Sequence, residues 1–161
     1  NANLAQLARA YLVFANEGAI PSLKLFKNDS TPNNLQQIFT PESTKRIAEI
    51  LDSVASDNGS GYRAVINGYS VAGKTGTAEI VIDGKYSKDG AKRTYFIGFS
   101  PAKNPKYIMA VRLDYPKKCF VSWDPTMRNR CEGSNSASMA FQKAMKRILI
   151  NDPQIKSKFE G

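Results

Sequence analysis

The stretch Gly68-Tyr69-Ser70-Val71-Ala72-Gly73-Lys74-Thr75-Gly76-Thr77-Ala78-Glu79-Ile80-Val81-Ile82-Asp83-Gly84 decides how this chain folds. It changes from a Gly-Lys-Thr-Gly break to a β-branched run and ends on Asp-Gly, a turn signal, so it predicts a strand over about residues 70–82. On a strand, Lys74 and Gly76 face one way and Thr75 and Thr77 the other. A glycine beside a lysine at a strand edge lets a substrate backbone lie close and pair with the sheet. The ammonium then puts positive charge next to whatever reacts there. Gly68 to Thr75 also spells G-x-x-x-x-G-K-T, the letters of a phosphate-binding loop. That loop needs a helix after its Lys-Thr, and the β-branched continuation argues against one.

Two more strands follow, at about 94–100 and 107–114, joined by Ser100-Pro101-Ala102-Lys103-Asn104-Pro105. Three successive strands with short connections predict an antiparallel meander. Before them, Leu4, Leu7, Ala8, Tyr11, Leu12 and Ala15 recur at helical spacing, with Asn3 as cap and Gly18 as terminator, predicting a helix over 3–16. Residues 18–39 read as a connection with at most a short strand at Leu23-Lys24-Leu25-Phe26. Thr40-Pro41-Glu42 then starts a second helix, 41–56, whose apolar face is Ile47, Ile50, Leu51, Val54 and Ala55. A last helix, 136–150, carries Ala137, Ala140, Phe141, Ala144, Met145, Ile148 and Leu149, a stripe read as core against the sheet.

The chain has 161 residues, 42% apolar and 23% charged, enough for one globular domain. It contains no histidine, which excludes Ser-His-Asp and Cys-His pairs, imidazole shuttles and His-ligated metal sites; acid–base chemistry falls to lysine, carboxylate or tyrosine. No metal site is expected. The net charge of +9 is local, residues 85–118 carrying nine basic side chains against two acidic ones. These are solvated loop lysines or a surface for an anionic polymer such as nucleic acid or cell-wall polysaccharide. Tyr86, Tyr95, Phe96, Phe99 and Tyr107 interleave with them but mostly alternate as core residues would, so nucleic acid is not expected. Cys119 and Cys131 fit neither a C-x-x-C redox motif nor a zinc ribbon, and read either as two buried thiols or as one bridge. No run is long and apolar enough to span a bilayer. The start at Asn1-Ala2, almost inside a helix, suggests either an excised piece of something longer or a remnant of cloning.

Gly59-Ser60-Gly61, Asn67 to Ala78 and Phe96-Ile97-Gly98-Phe99-Ser100-Pro101 resemble consecutive motifs of class B penicillin-binding proteins, the serine D,D-transpeptidases that cross-link peptidoglycan. Asn3 to Tyr11 with Ala15-Asn16-Glu17-Gly18 resembles the preceding helix of that family, and the likeness runs from residue 3 to about 115. The division-specific (septal) branch fits best, with elongation-type paralogues close behind. The resemblance implies an α/β (α+β) fold class: the C-terminal part of the penicillin-binding transpeptidase/β-lactamase-like fold, three antiparallel strands with flanking helices. It also implies roles. Lys74 would supply charge and hydrogen bonding near the nucleophile and the substrate carboxylate, Thr75 would contact that carboxylate, and Gly76 would let the substrate approach. The backbone N–H of Thr77 would be an oxyanion-hole donor. No cofactor is implied. The implied partners are a peptidoglycan stem peptide, β-lactam antibiotics and, for the complete protein, divisome proteins. The implied place is the periplasmic face of the bacterial inner membrane, with an anchor outside this sequence, which favours the Cys119–Cys131 bridge.

The family's reaction also needs Ser-x-x-Lys and Ser-x-Asn. Both spellings occur here and both are expected decoys. Ser100-Pro101-Ala102-Lys103 belongs to a hairpin turn, whereas the family's serine opens a helix; Ser56-Asp57-Asn58 ends a helix only a short way before Lys74. The chain is therefore expected to be a partial transpeptidase domain, inactive alone. The family's two N-terminal strands would complete the sheet beside 107–113, so an unpaired edge is expected there, and with it a homodimer. After Pro116 the family's glycine-rich segment is replaced by an inserted loop and Glu132-Gly133-Ser134.

Overall fold

The computed structural model describes residues 2–24, 26, 28–30, 32–87, 91–117, 119 and 131–155. Helix α1 spans Leu4–Tyr11. Its start is a capping box: Asn3 Oδ1 accepts from Gln6 N at 2.8 Å and Gln6 Oε1 from Asn3 N at 2.9 Å. The helix expected to reach residue 16 instead tightens into a 3₁₀ turn, Leu12–Phe14. Asn16 Nδ2 takes the Leu12 carbonyl at 2.8 Å and Gly18 N takes that of Val13 at 2.8 Å, removing acceptors an α-helix would use. Gly18 has φ +94, a left-handed value that suits glycine.

The connection after Gly18 pairs differently from the expectation. Strand β1, Ala19–Ile20, lies antiparallel to β2, Gln36–Gln37, while Leu23, Lys24 and Phe26 are outside any strand; Leu25 is not among the described residues. Gly18 O accepts from both Ile38 N and Phe39 N, which brings 36–37 rather than 23–26 alongside β1. Helix α2, Pro41–Val54, begins with Thr40 Oγ1 accepting from Ser43 N at 3.2 Å. Its buried stripe is Thr44, Leu51 and Ala55 with half-buried Ala48, whereas Ile47 and Ile50 are exposed. The spacing of 44, 48, 51 and 55 is the true helical stripe, and Ile47 and Ile50 sit one residue round from it. Thr44 can be buried because its hydroxyl donates to Thr40 O at 3.0 Å.

The strand expected over 70–82 is split. Strand β3 is Ala72–Glu79, and beyond Ile80 the chain turns back as a small hairpin of β4, Val81–Ile82, and β5, Lys85–Tyr86. Asp83 and Gly84 both have positive φ, the signature of a two-residue turn that suits the twist of paired strands. At the other end the hydroxyl of Ser70 accepts from Ala102 N and its carbonyl from Ser100 Oγ, bonds to the 100–102 corner that precede the ladder. Strands β6, Lys92–Ser100, and β7, Tyr107–Asp114, complete an antiparallel sheet in the order β3-β6-β7. Ser100 ends β6 and Lys103 lies in the bend that follows, so Ser100-Pro101-Ala102-Lys103 is a turn.

Helix α3, Ala137–Asn151, covers one face of the sheet, where Phe96, Ile66, Phe141, Met145 and Leu149 are buried. Phe96 and Phe141 meet with ring centroids 4.7 Å apart. On the other face Tyr11, Phe14 and Leu51 gather about Phe99 and Ala72 at one end of the sheet; the Phe14 and Phe99 rings stack at 5.1 Å. Among the described residues no helix is long and apolar enough to cross a membrane.

At the opposite end of the sheet Asp114 receives Arg112 Nη2 at 2.6 Å and Arg93 Nε at 2.7 Å. The Arg112 hydrogen bond, then that of Arg93, pushes the Asp114 carboxyl down to about 2 from its ordinary 3.8. A carboxyl depressed by folding contributes stability that is complete above its unfolded value and is lost as pH falls through the folded one. Denaturant stability should therefore decline in part between pH 3.8 and about 2, and Asp114→Asn should flatten that portion of the curve; an unchanged acid slope in the variant would refute the assignment.

Candidate functional site

The pairing register determines what β3 offers at its edge. Thr75 lies opposite Phe96, Gly76 opposite Tyr95 and Thr77 opposite Thr94, and Glu79 opposite Lys92 extends to Ile80 opposite Ala91. Ile80 N donates to Ala91 O at 2.9 Å, so this opposed pair is hydrogen-bonded. Antiparallel ladders alternate bonded and non-bonded pairs, so residues 72, 74, 76 and 78 direct N–H and C=O at β6. The backbone groups of Gly73, Thr75, Thr77 and Glu79 point outward. Among the described residues no other strand covers this side of β3, which makes it a free edge with donors and acceptors in strand spacing.

Lys74 is exposed, and its Nζ donates to Thr75 O at 3.1 Å. Because that carbonyl points outward, the ammonium is brought to the same edge as the Thr77 N–H. Gly76 is half-buried beside Tyr95; a Cβ there would lie 3.4 Å from Tyr95 Cβ, close but not excluded. Gly73 is stricter. An added Cβ would stand 2.7 Å from Ile97 O and from Phe96 Cζ, so this glycine exists for packing. Lys74, Thr75, Gly76 and Thr77 are thus consecutive on one edge strand, as their spacing requires.

The other sequence candidates are elsewhere. Ser100 is buried and bonded to Ser70 O. Ser56 and Asp57 line a separate cleft of about 410 Å³ with Asn67 to Val71. A larger cleft of about 730 Å³ runs between Phe14, α2 and the Ala102-Lys103 turn. Neither contains a residue of the Lys-Thr-Gly segment, which lies on the sheet edge. No cluster of three metal-ligating side chains occurs among the described residues. Cys119 and Cys131 are paired as a disulfide, Cα atoms 5.4 Å apart.

The segment Glu132-Gly133-Ser134, which in the sequence reads only as a departure from the family, has no role assigned there. Gly133 N donates to Thr77 Oγ1 at 3.0 Å, and the hydroxyls of Ser136 and Thr94 bond at 2.9 Å, so the turn leading into α3 lies on the inner face of the catalytic-strand candidate. The available signal was a glycine shortly before the last helix.

A three-stranded antiparallel sheet with α3 on one face, α1 and α2 on the other and Lys-Thr-Gly on its edge strand has the architecture of a solved penicillin-binding transpeptidase domain. The transpeptidase domain of Burkholderia pseudomallei penicillin-binding protein 3 superposes with a TM-score of 0.76 at 30% identity, covering 94% of this chain and 44% of that one. Residues 1–146 match the penicillin binding protein transpeptidase domain family, and the chain belongs to it. Relatives include a Pseudomonas aeruginosa protein named "Probable peptidoglycan D,D-transpeptidase PbpC", 39% identical over 72% of this chain and 20% of its own length. Another is the peptidoglycan D,D-transpeptidase FtsI of Buchnera aphidicola subsp. Baizongia pistaciae, 33% identical over 89% of this chain and 24% of its own. The chain thus spans between a fifth and a quarter of the length of these relatives.

Proline substitution tests the edge. It removes a backbone donor, which is tolerated where the N–H faces away from the ladder. Gly76→Pro should lower the thermal midpoint much more than Thr75→Pro; equal losses would overturn the outward orientation of Thr75 and Thr77.

Proposed function

We propose that this chain supplies the Lys-Thr-Gly half of a class B serine D,D-transpeptidase site that acts outside the cytoplasm and is acylated by β-lactams. The observation that carries the reading is the shared edge: the Lys74 ammonium and the outward N–H of Thr77 on the side of β3 that, among the described residues, no other strand covers. A stem peptide added along this edge would pair with the backbone of Thr75 and Thr77, Gly76 allowing close approach. The Thr75 hydroxyl would bind its carboxylate and Lys74 would lower the cost of negative charge there. When the nucleophile attacks, charge develops on the carbonyl oxygen, and the Thr77 N–H would stabilise it; one such donor is worth about 10²–10³ in rate.

The nucleophilic serine, its lysine and Ser-x-Asn come from residues outside these 161, so the chain is inactive by itself. The division branch and divisome partners for the complete protein belong to this proposal; the peptidoglycan D,D-transpeptidase FtsI of Buchnera aphidicola is among the relatives. An anionic-polymer function is disfavoured by the placement of the basic residues. Arg93 and Arg112 are tied to Asp114, Lys92 pairs with Glu132 and Lys85 sits on the small hairpin. Phe96 and Phe99 are fully buried and give no stacking platform.

Labelled penicillin mixed with this chain should leave no covalent adduct by mass spectrometry, and a stable adduct would sink the half-site reading. The outer side of β7 has no neighbouring strand among the described residues, so the chain should also dimerise as concentration rises. A monomer mass by light scattering throughout would reject pairing through that edge.

A further inference from the structure

The inner face of the catalytic strand is gripped by the turn that precedes α3. Thr77 Oγ1 accepts the Gly133 N–H at 3.0 Å. Gly133 can approach only because it lacks a side chain: a Cβ there would be 2.6 Å from Gly76 O, 2.9 Å from Gly76 N and 2.7 Å from Tyr95 O. Thr94, directly opposite Thr77, is buried with its hydroxyl bonded to Ser136. Ser136 also bonds the Glu132 carbonyl. With one proton, Ser136 serves that carbonyl, so Thr94 donates to Ser136. The turn is itself closed by Glu132 N to Asn135 Oδ1 at 2.6 Å and Ser138 N to Gly133 O at 2.9 Å. The residue before it is Cys131, buried and bonded to Cys119, which follows the end of β7.

We propose that the Cys119–Cys131 disulfide and the Glu132–Ser136 turn form a redox-sensitive clamp on the Lys-Thr-Gly strand, with Gly133 and the Thr77 hydroxyl as its contact. A single neutral hydrogen bond is weak in net terms, so the turn stays in place only where few alternative positions compete. The disulfide removes those alternatives by fixing Cys131 to the chain leaving β7. With the clamp closed, the Thr77 side chain is held from the inner face while its backbone N–H is presented at the free edge. The catalytic consequence rests on the transpeptidase reading; the linkage itself does not, and it is measured without substrate.

Amide hydrogen exchange of this chain, oxidised and after reduction, decides it. Reduction should raise exchange at Gly133, Gly76 and Ala78 by about tenfold. Thr94, Phe96 and Gly98, whose N–H groups face β7, should not change. Replacing both cysteines by alanine should reproduce the reduced pattern. In the oxidised chain, Thr77→Val should lose Gly133 protection and Thr77→Ser should retain it. Unchanged exchange at Gly133 on reduction would overturn the proposal, as would a uniform rise across β6 and β7 or equal behaviour of the Val and Ser variants. Acylation of the chain by labelled penicillin, which would sink the half-site reading, alters none of these outcomes.

Discussion

The ring of Phe96 lies against a pair of opposed glycines, Gly73 on β3 and Gly98 on β6, and Phe141 from α3 closes over it. A Cβ at either glycine would fall within 3 Å of the Phe96 ring and of a backbone oxygen across the pair. This is how an aromatic side chain shields strand glycines that could not otherwise exclude water. The contact ties register to the core. A slip of one residue would carry Phe96 to the other face, bring side chains against the glycine gap and exchange the inward and outward backbone groups of β3. The outward N–H of Thr77 and the placement of Lys74 both follow from that register.

The two faces of the sheet do different work. The face toward α3 is closed by apolar burial, by the Gly133 N–H donating to the Thr77 hydroxyl and by the buried hydroxyl pair Thr94–Ser136 close to the edge strand. The other face is covered at the Ala72–Phe99 end by α1 and α2 and carries Lys74 and Gly76 further along. At its far end Arg93 and Arg112 share Asp114, which absorbs part of the local positive charge. An edge strand is ordinarily a hazard because it invites pairing. Here the invitation is the basis of the proposed chemistry, since a peptide that pairs with β3 passes the Lys74 ammonium.

Much of this was legible in one dimension because it depends on local rules. The Asn3 and Thr40 caps, the Asp83-Gly84 turn and the β-branched run after Gly76 act over a few residues, and the elements they delimit lie close to where those signals stand. The misreadings share a cause. Leu12 to Ala15 keep helical spacing, yet Asn16 and Gly18 take the carbonyls an α-helix would need. Ile47 and Ile50 are apolar, yet the partner surface selects the stripe one residue away, where a threonine is buried. Val81 and Ile82 have strand composition, yet they pair with 85–86 because β6 reaches only to Lys92, opposite Glu79. In each case a partner distant in sequence, or a hydrogen bond that spacing does not encode, made the choice.

The sequence by itself determined the family motif, the residues Lys74 to Thr77 in their order, the absence of histidine and the antiparallel order of the three long strands. These are covalent or short-range properties, readable from residue type and spacing. Tertiary structure alone decided that the N–H groups of Thr75 and Thr77 face a free edge, since that depends on the phase of pairing with β6, which alternates every residue and is invisible in composition. It alone decided that Gly133, far along the chain, rests on Gly76 and bonds Thr77. That contact exists because two backbones approach where neither has a side chain between them, and distance in sequence carries no record of such an approach.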